Sequence, residues 1–239
     1  TTKRKALLKA TRDHWLKVTR SGAKKAGNGV AAKQTGGVQA PSKAMPVTGY
    51  TATGAASMYA WLQDSENAHY YLDFLIKHQN VSPTTMYAEG NPVIESPLSF
   101  CTALHDMLLQ SWGRKTTTIR VLPAAPKEWP NLAFHQLRTQ GAFLVSAKRK
   151  NGKTQFVTIK SLAGKTCTAQ IDIPKPHLII DGTEAEASAD KNGNYILNLK
   201  KGQTATFTAA PIGTLSKEDL TIAPIPVPEK KQNLFGYSK

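Results

Sequence analysis

Long hydrophobic runs are missing from this chain. Nowhere do about 18 apolar residues follow one another, the length a helix needs to cross a bilayer, so neither a spanning helix nor a membrane partner is expected. Cysteine is nearly missing too: Cys101 and Cys167 are the two present, too few for a disulfide-stapled scaffold. Cys101 falls on an apolar helical stripe and Cys167 in a strand pattern, so two buried free thiols are expected. His69, His78, His135 and His177 lack ligand spacing of the His-x-x-x-His kind, so no metal and no other cofactor is expected. Neither a signal-peptide pattern nor an initiating methionine opens the sequence, which begins Thr1-Thr2-Lys3. A processed or excised piece of something longer is the expectation.

Negative charge is scarce. Sixteen acidic residues stand against 31 basic ones, for a net charge of +15. Residues 1–35 hold ten lysines and arginines with Asp13 alone opposing them, nine of those fifteen net charges. Such a block suits a polyanion contact or a solvated leader. Its one Trp or Tyr is Trp15, which leaves little for base stacking, so nucleic acid is not the expected partner. Residues 1–47 therefore read as a basic leader, with a short helix carrying Leu8, Trp15 and Val18 and then a polar stretch with almost nothing to bury.

What is present starts near residue 48. Apolar residues at helical spacing predict a helix over 54–63 and a second over 66–78, with Ser65 as N-cap. The short link between them implies antiparallel neighbours. Residues 80–94 read as an irregular segment ahead of a third helix. There Ser96 and Pro97 suit an N-cap and first turn, and Leu98, Cys101, Leu104, Met107, Leu108 and Trp112 form a stripe ending at Gly113. Glu95 lies just outside that cap. The positive helix start favours its ionised form, which suits a general base and equally a plain capping interaction.

After Gly113 the period becomes two. Strands are predicted over 118–122, 142–148, 154–160, 167–173, 177–180, 195–199 and 204–208, with hairpins at Asn151-Gly152 and Asn192-Gly193. The expected result is an antiparallel β-sandwich over 117–215, followed by an extended, loosely held tail over 216–239.

Several of these residues, in order, carry a resemblance. Glu95-Ser96-Pro97-Leu98, Met107-Leu108-Leu109-Gln110-Ser111, Ile119-Arg120-Val121-Leu122-Pro123-Ala124, Trp129-Pro130 and Leu137-Arg138-Thr139-Gln140-Gly141-Ala142-Phe143 resemble the C-terminal third of glycoside hydrolase family 95. Its members are inverting α-L-fucosidases and α-L-galactosidases. The likeness covers roughly residues 48–210. It implies an α+β chain in which residues 48–116 are the last helices of an (α/α)6 barrel and the rest a small antiparallel β-sandwich. Parallel strands or βαβ units after residue 117 would count against it.

The family's catalytic base is the Asp of a Gln-Ile-Asp-Gly-Asn-Phe-Gly motif, twelve residues before the Met of Met-Leu-Leu-Gln-Ser. Counting back from Met107 lands on Glu95. The resemblance thus implies Glu95 as base, one methylene longer than the family Asp and without its glycines. Glu89, Tyr87 and Asn91, in the preceding segment, are the candidate sugar-binding residues. Glu89 also suits a solvated acid, and Tyr87 an aromatic packed at a barrel mouth. His105 and Asp106 read as buried or interhelical groups. The family's general acid has no counterpart here, so a carbohydrate substrate implies a second polypeptide portion, upstream or separate, that completes the barrel. It also implies a secreted, periplasmic or cell-surface location. A non-catalytic glycan-binding or assembly subunit of the same fold is the alternative, and a polyanion binder working through the leader is a third.

Overall fold

The computed structural model describes residues 49–78, 87–89, 91–113, 116–216 and 218–224, together with Ala6, Lys9 and Ala10. Most of the leader, the whole segment 79–86 and the end of the tail lie outside the described residues, and with them the expected leader helix and most of the extended tail. The chain forms two compact units that divide between Met107 and Leu108.

In the first unit, α1 (Gly49–Trp61) buries Gly49, Ala52, Thr53, Ala55, Ala56, Tyr59 and Ala60. Small side chains buried around so much of a helix let neighbouring backbones approach closely, which marks an interior position. The helix α2 (Ser65–His78) returns beside it, with Tyr59 and Tyr71 stacked at 5.6 Å. Its cap is Asp64, not Ser65. The Asp64 carboxylate accepts from Asn67 N–H at 3.1 Å and its carbonyl from Ala68 N–H, so the acceptor sits one residue earlier than read.

Residues expected to be irregular form a ribbon, β1 (Tyr87–Glu89) against β2 (Asn91–Val93), antiparallel. The helix α3 (Glu95–Leu108) follows. It differs from the expectation at both ends. The sequence extends the helical stripe to Trp112, but Leu109–Trp112 is a strand, β3. It pairs with β4 (Thr117–Val121) and places Leu109 in the sandwich core. Leu108 carbonyl accepts from Leu122 N–H at 2.7 Å and closes that ladder, so Gly113 follows a strand and caps no helix. Along the helix, Leu98 is 60% exposed and Cys101 is exposed, where both were expected on the buried stripe. The buried face holds Met107, as expected, together with Ser96 and Ala103, which the stripe did not include.

The second unit is the sandwich. One sheet has the order β10-β9-β12-β7-β6-β5 and the other β11-β8-β4-β3. Their strands are β5 (Leu132–Thr139), β6 (Phe143–Lys150), β7 (Lys153–Ser161), β8 (Thr166–Gln170), β9 (His177–Ile180), β10 (Thr183–Ala185), β11 (Tyr195–Asn198) and β12 (Thr204–Thr208). A single apolar cluster draws Leu109, Ile119, Cys167, Ala169 and Leu197 from the smaller sheet and Phe143, Val145, Val157, Ile159, Ala205 and Phe207 from the larger. Burial pushes the Cys167 thiol up to about 12, as expected for an inert core sulfur. At the predicted β6–β7 hairpin, Asn151 and Gly152 both take positive φ (51° and 75°), the geometry that selects Asn-Gly.

One pair breaks the antiparallel expectation. β4 and β8 run parallel, Thr117 opposite Cys167 through Arg120 opposite Gln170. Between them the chain leaves for the other sheet, builds β5, β6 and β7, and then returns. No hairpin fixes the direction of the returning strand, and the parallel pair arises without a βαβ unit. Parallel pairing was therefore too broad a criterion against the family. The tail is also more held than expected: Glu218–Leu220 forms a turn, and Lys148 Nζ donates to the carbonyls of Glu218 (3.4 Å) and Thr221 (3.2 Å).

Candidate active site

Glu95 opens α3 and is exposed. The helix starts two residues earlier than its sequence suggests, with Leu98 N–H reaching Ile94 carbonyl at 3.3 Å. The carboxylate therefore belongs to the first turn, where the free N–H groups and the helix dipole favour negative charge. The ribbon β1–β2 immediately precedes it. Backbone register sets Glu89 opposite Asn91 and Tyr87 opposite Val93, and β2 ends two residues before Glu95. The four candidates thus fall on a ribbon and the helix start that follows it, within nine consecutive residues.

Ser96, read as the N-cap, does something else. It is fully buried, and its hydroxyl is the one buried side-chain polar atom without a hydrogen-bond partner among the described residues. With the helix already begun at Glu95, its side chain turns into the packed face. Ser96→Ala should therefore leave the thermal midpoint unchanged or raise it, because no bond is lost and a buried hydroxyl is removed. A loss of about 1 kcal/mol, the usual worth of an N-cap, would show that the hydroxyl caps after all.

A second polar group lies along α3, pointing back at α1. Thr53 Oγ1 and Ser99 Oγ share a 2.7 Å hydrogen bond, and Ser57 Oγ donates to the Asp106 carboxylate. Trp61 adds a further hydrogen bond to that carboxylate. Burial raises the Asp106 carboxyl above its ordinary range, while Ser57, Trp61 and the nearby His105 pull it part-way back. Asp106 is therefore an interhelical clamp, as its sequence position suggested. Its partners were not singled out from sequence, although Thr53, Ser57 and Trp61 recur every four residues and Ser99 and Asp106 are seven apart. That spacing was the available signal.

Among the described residues no group of three or more His, Cys, Asp or Glu could hold a metal, and no helix is long and apolar enough to cross a membrane.

The domain that follows this region is recognisable. Residues 113–208 match the family model described as "Glycoside hydrolase family 95, C-terminal domain". The matched span runs from just after β3 to the last residue of β12, so it covers most of the sandwich and none of the helices. No curated protein sequence matches the chain.

Proposed function

We propose, from the premise that residues 113–208 are the C-terminal domain of glycoside hydrolase family 95, that this chain supplies the C-terminal part of an inverting glycoside hydrolase. Its substrates would be terminal α-L-fucosyl or α-L-galactosyl residues of glycans. One observation carries the reading: only the four-residue strand β3 separates the matched domain from a helix whose first turn presents an exposed carboxylate.

Inversion needs two carboxyl groups roughly 6.5–9.5 Å apart, one protonating the leaving oxygen and one activating water on the opposite face. Glu95 suits the second role: it is solvent-accessible and sits where the helix start favours its charge. Glu89, Tyr87 and Asn91 would supply sugar contacts from the ribbon. Nothing in residues 1–47 resembles the family's acid, so the chain offers half of the pair. The helices also suggest a missing neighbour. Ile94, just before α3, and Leu98 and Cys101 on it, spaced by four and three residues, are all exposed. Such a stripe is what an (α/α)6 barrel would cover with further helices, most simply those of an upstream portion.

A glycan-binding or assembly subunit is the second reading, favoured by one feature of the site. Glu replaces the family Asp, and a buried Ser96 follows it in place of the motif's first glycine, with Ser99 in place of the second. A misplacement near 1 Å can cost about a hundredfold in rate.

The two are separated by assaying α-L-fucosides and α-L-galactosides with residues 1–239 alone and with the complete polypeptide. The hydrolase reading expects no turnover by the chain alone and clear turnover by the complete protein. Turnover by the chain alone overturns the half-site account. Sugar binding without turnover by the complete protein establishes the second reading.

A further inference from the structure

We infer that one end of the β-sandwich binds an anionic polysaccharide, a sulfated or uronate-bearing glycan chain. The inference takes the choice of a glycan, rather than another polyanion, from the glycoside hydrolase reading above. Its physical basis is separate from Glu95.

Four turns meet at this end. Leu162 N–H donates to Ala142 carbonyl at 2.8 Å, joining the β5–β6 and β7–β8 turns. Ser161 N–H donates to Gln203 carbonyl at 2.9 Å and Gly202 N–H to Ser161 carbonyl at 2.7 Å, joining the β7–β8 and β11–β12 turns. Thr204 N–H donates to the Asp181 carboxylate at 2.9 Å, which brings in the β9–β10 turn. The packing is close: a Cβ added at Gly164 would lie 3.0 Å from Lys201 N.

The charge on these turns is almost of one sign. Lys160, Lys165, Lys200 and Lys201 are all exposed, as is Arg138. Register places Arg138, Leu144, Lys160 and Thr204 in one row across β5, β6, β7 and β12. Two strand spacings put Arg138 and Lys160 roughly 10 Å apart. Thr166 pairs with Asn198, so Lys165 and the Lys200–Lys201 pair flank the same β8–β11 rungs. Two carboxylates lie near: Asp181, occupied as above, and Glu184, facing His177 at 3.5 Å.

The opposite end is mixed. There Lys148 and Lys150 act on Asp219, adding to the Ser216 hydrogen bonds that hold that carboxyl low. Glu128, Asp172, Glu186 and Asp190 lie in the loops on that side. Charges within about a Debye length, roughly 8–10 Å at 0.15–0.1 M salt, reinforce one another in attracting a charged chain, and the hydrogen bonds between the turns hold their backbones in place for it. Among the described residues these turns carry no exposed Trp or Tyr, which favours a polysaccharide over a stacked nucleic acid.

The test is binding of the whole chain, leader included, to a sulfated galactan, to the same polymer desulfated, and to duplex DNA. The parent is compared with K165E/K200E/K201E, whose folding is checked by circular dichroism. The parent should prefer the sulfated polymer. The triple variant should bind it about tenfold more weakly or worse, with the dependence of log affinity on log salt falling by roughly one per lysine lost. Equal binding by parent and variant, equal binding of the desulfated polymer, a preference for DNA, or no binding by the parent each overturns the inference. Turnover by the complete polypeptide is read separately, so failure here leaves the hydrolase reading standing.

Discussion

Phe143→Ala should destabilise the chain by about 3–5 kcal/mol, a large share of the 5–15 kcal/mol that holds a typical domain together. Phe143 is among the largest side chains with no solvent exposure. It opens β6, pairs with Thr139 on one side and Ser161 on the other, and belongs to the cluster that joins the two sheets. Its ring also rests on Gly141, where φ is +81° and an added Cβ would come within 2.8 Å of the ring. Glycine is needed there twice over, for the backbone angle and for the space. With the ring walled in on that side, the site cannot collapse cheaply around an alanine, which puts the cost toward the upper part of the range. Ile196→Ala is the matched control, because Ile196 is 43% exposed on β11 and its truncation should cost within about 0.5 kcal/mol. The check is the urea midpoint of both variants against the parent. Equal shifts would mean that the core does not lie where the cluster places it.

The same residues show why parts of the fold were legible in the sequence. β9 and β12 coincide with the predicted spans, and the Asn151-Gly152 hairpin forms as expected. In these places period-two alternation and turn chemistry are local properties, and they agree with the burial that the sheets impose. β3 was misread for the opposite reason. Leu109-Gln110-Ser111-Trp112 continues a helical period, and only pairing with β4, which lies beyond Gly113, makes the extended form better. β5 and β10 were missed as strands as well. β5 alternates poorly because its register shifts between Phe134 and Leu137, and β10 is three residues long. At the candidate site, position was legible and environment was not. Counting from Met107 located Glu95, but the unpartnered hydroxyl of Ser96 and the exposure of Leu98 and Cys101 depend on which face of α3 meets α1. A helical stripe read alone cannot choose between two nearly equal faces.

The central proposal is that Glu95 would activate the attacking water in a complete hydrolase, and Glu95→Gln in the complete polypeptide tests it most directly. The change keeps size and hydrogen bonding and removes the charge. Glu95 is exposed and its substitution leaves α3 with Ser96, Ala103 and Met107 still buried, so folding and substrate binding should be preserved. Turnover should fall by about 10²–10⁴-fold, the worth of a positioned general base, through kcat and with little change in KM. Glu89→Gln, on β1 of the adjoining ribbon, is the comparison and should act mainly on KM. A collapse of turnover in Glu95→Gln alone is the predicted result. Parental turnover in Glu95→Gln together with its loss in Glu89→Gln would contradict the assignment and move the base into the ribbon.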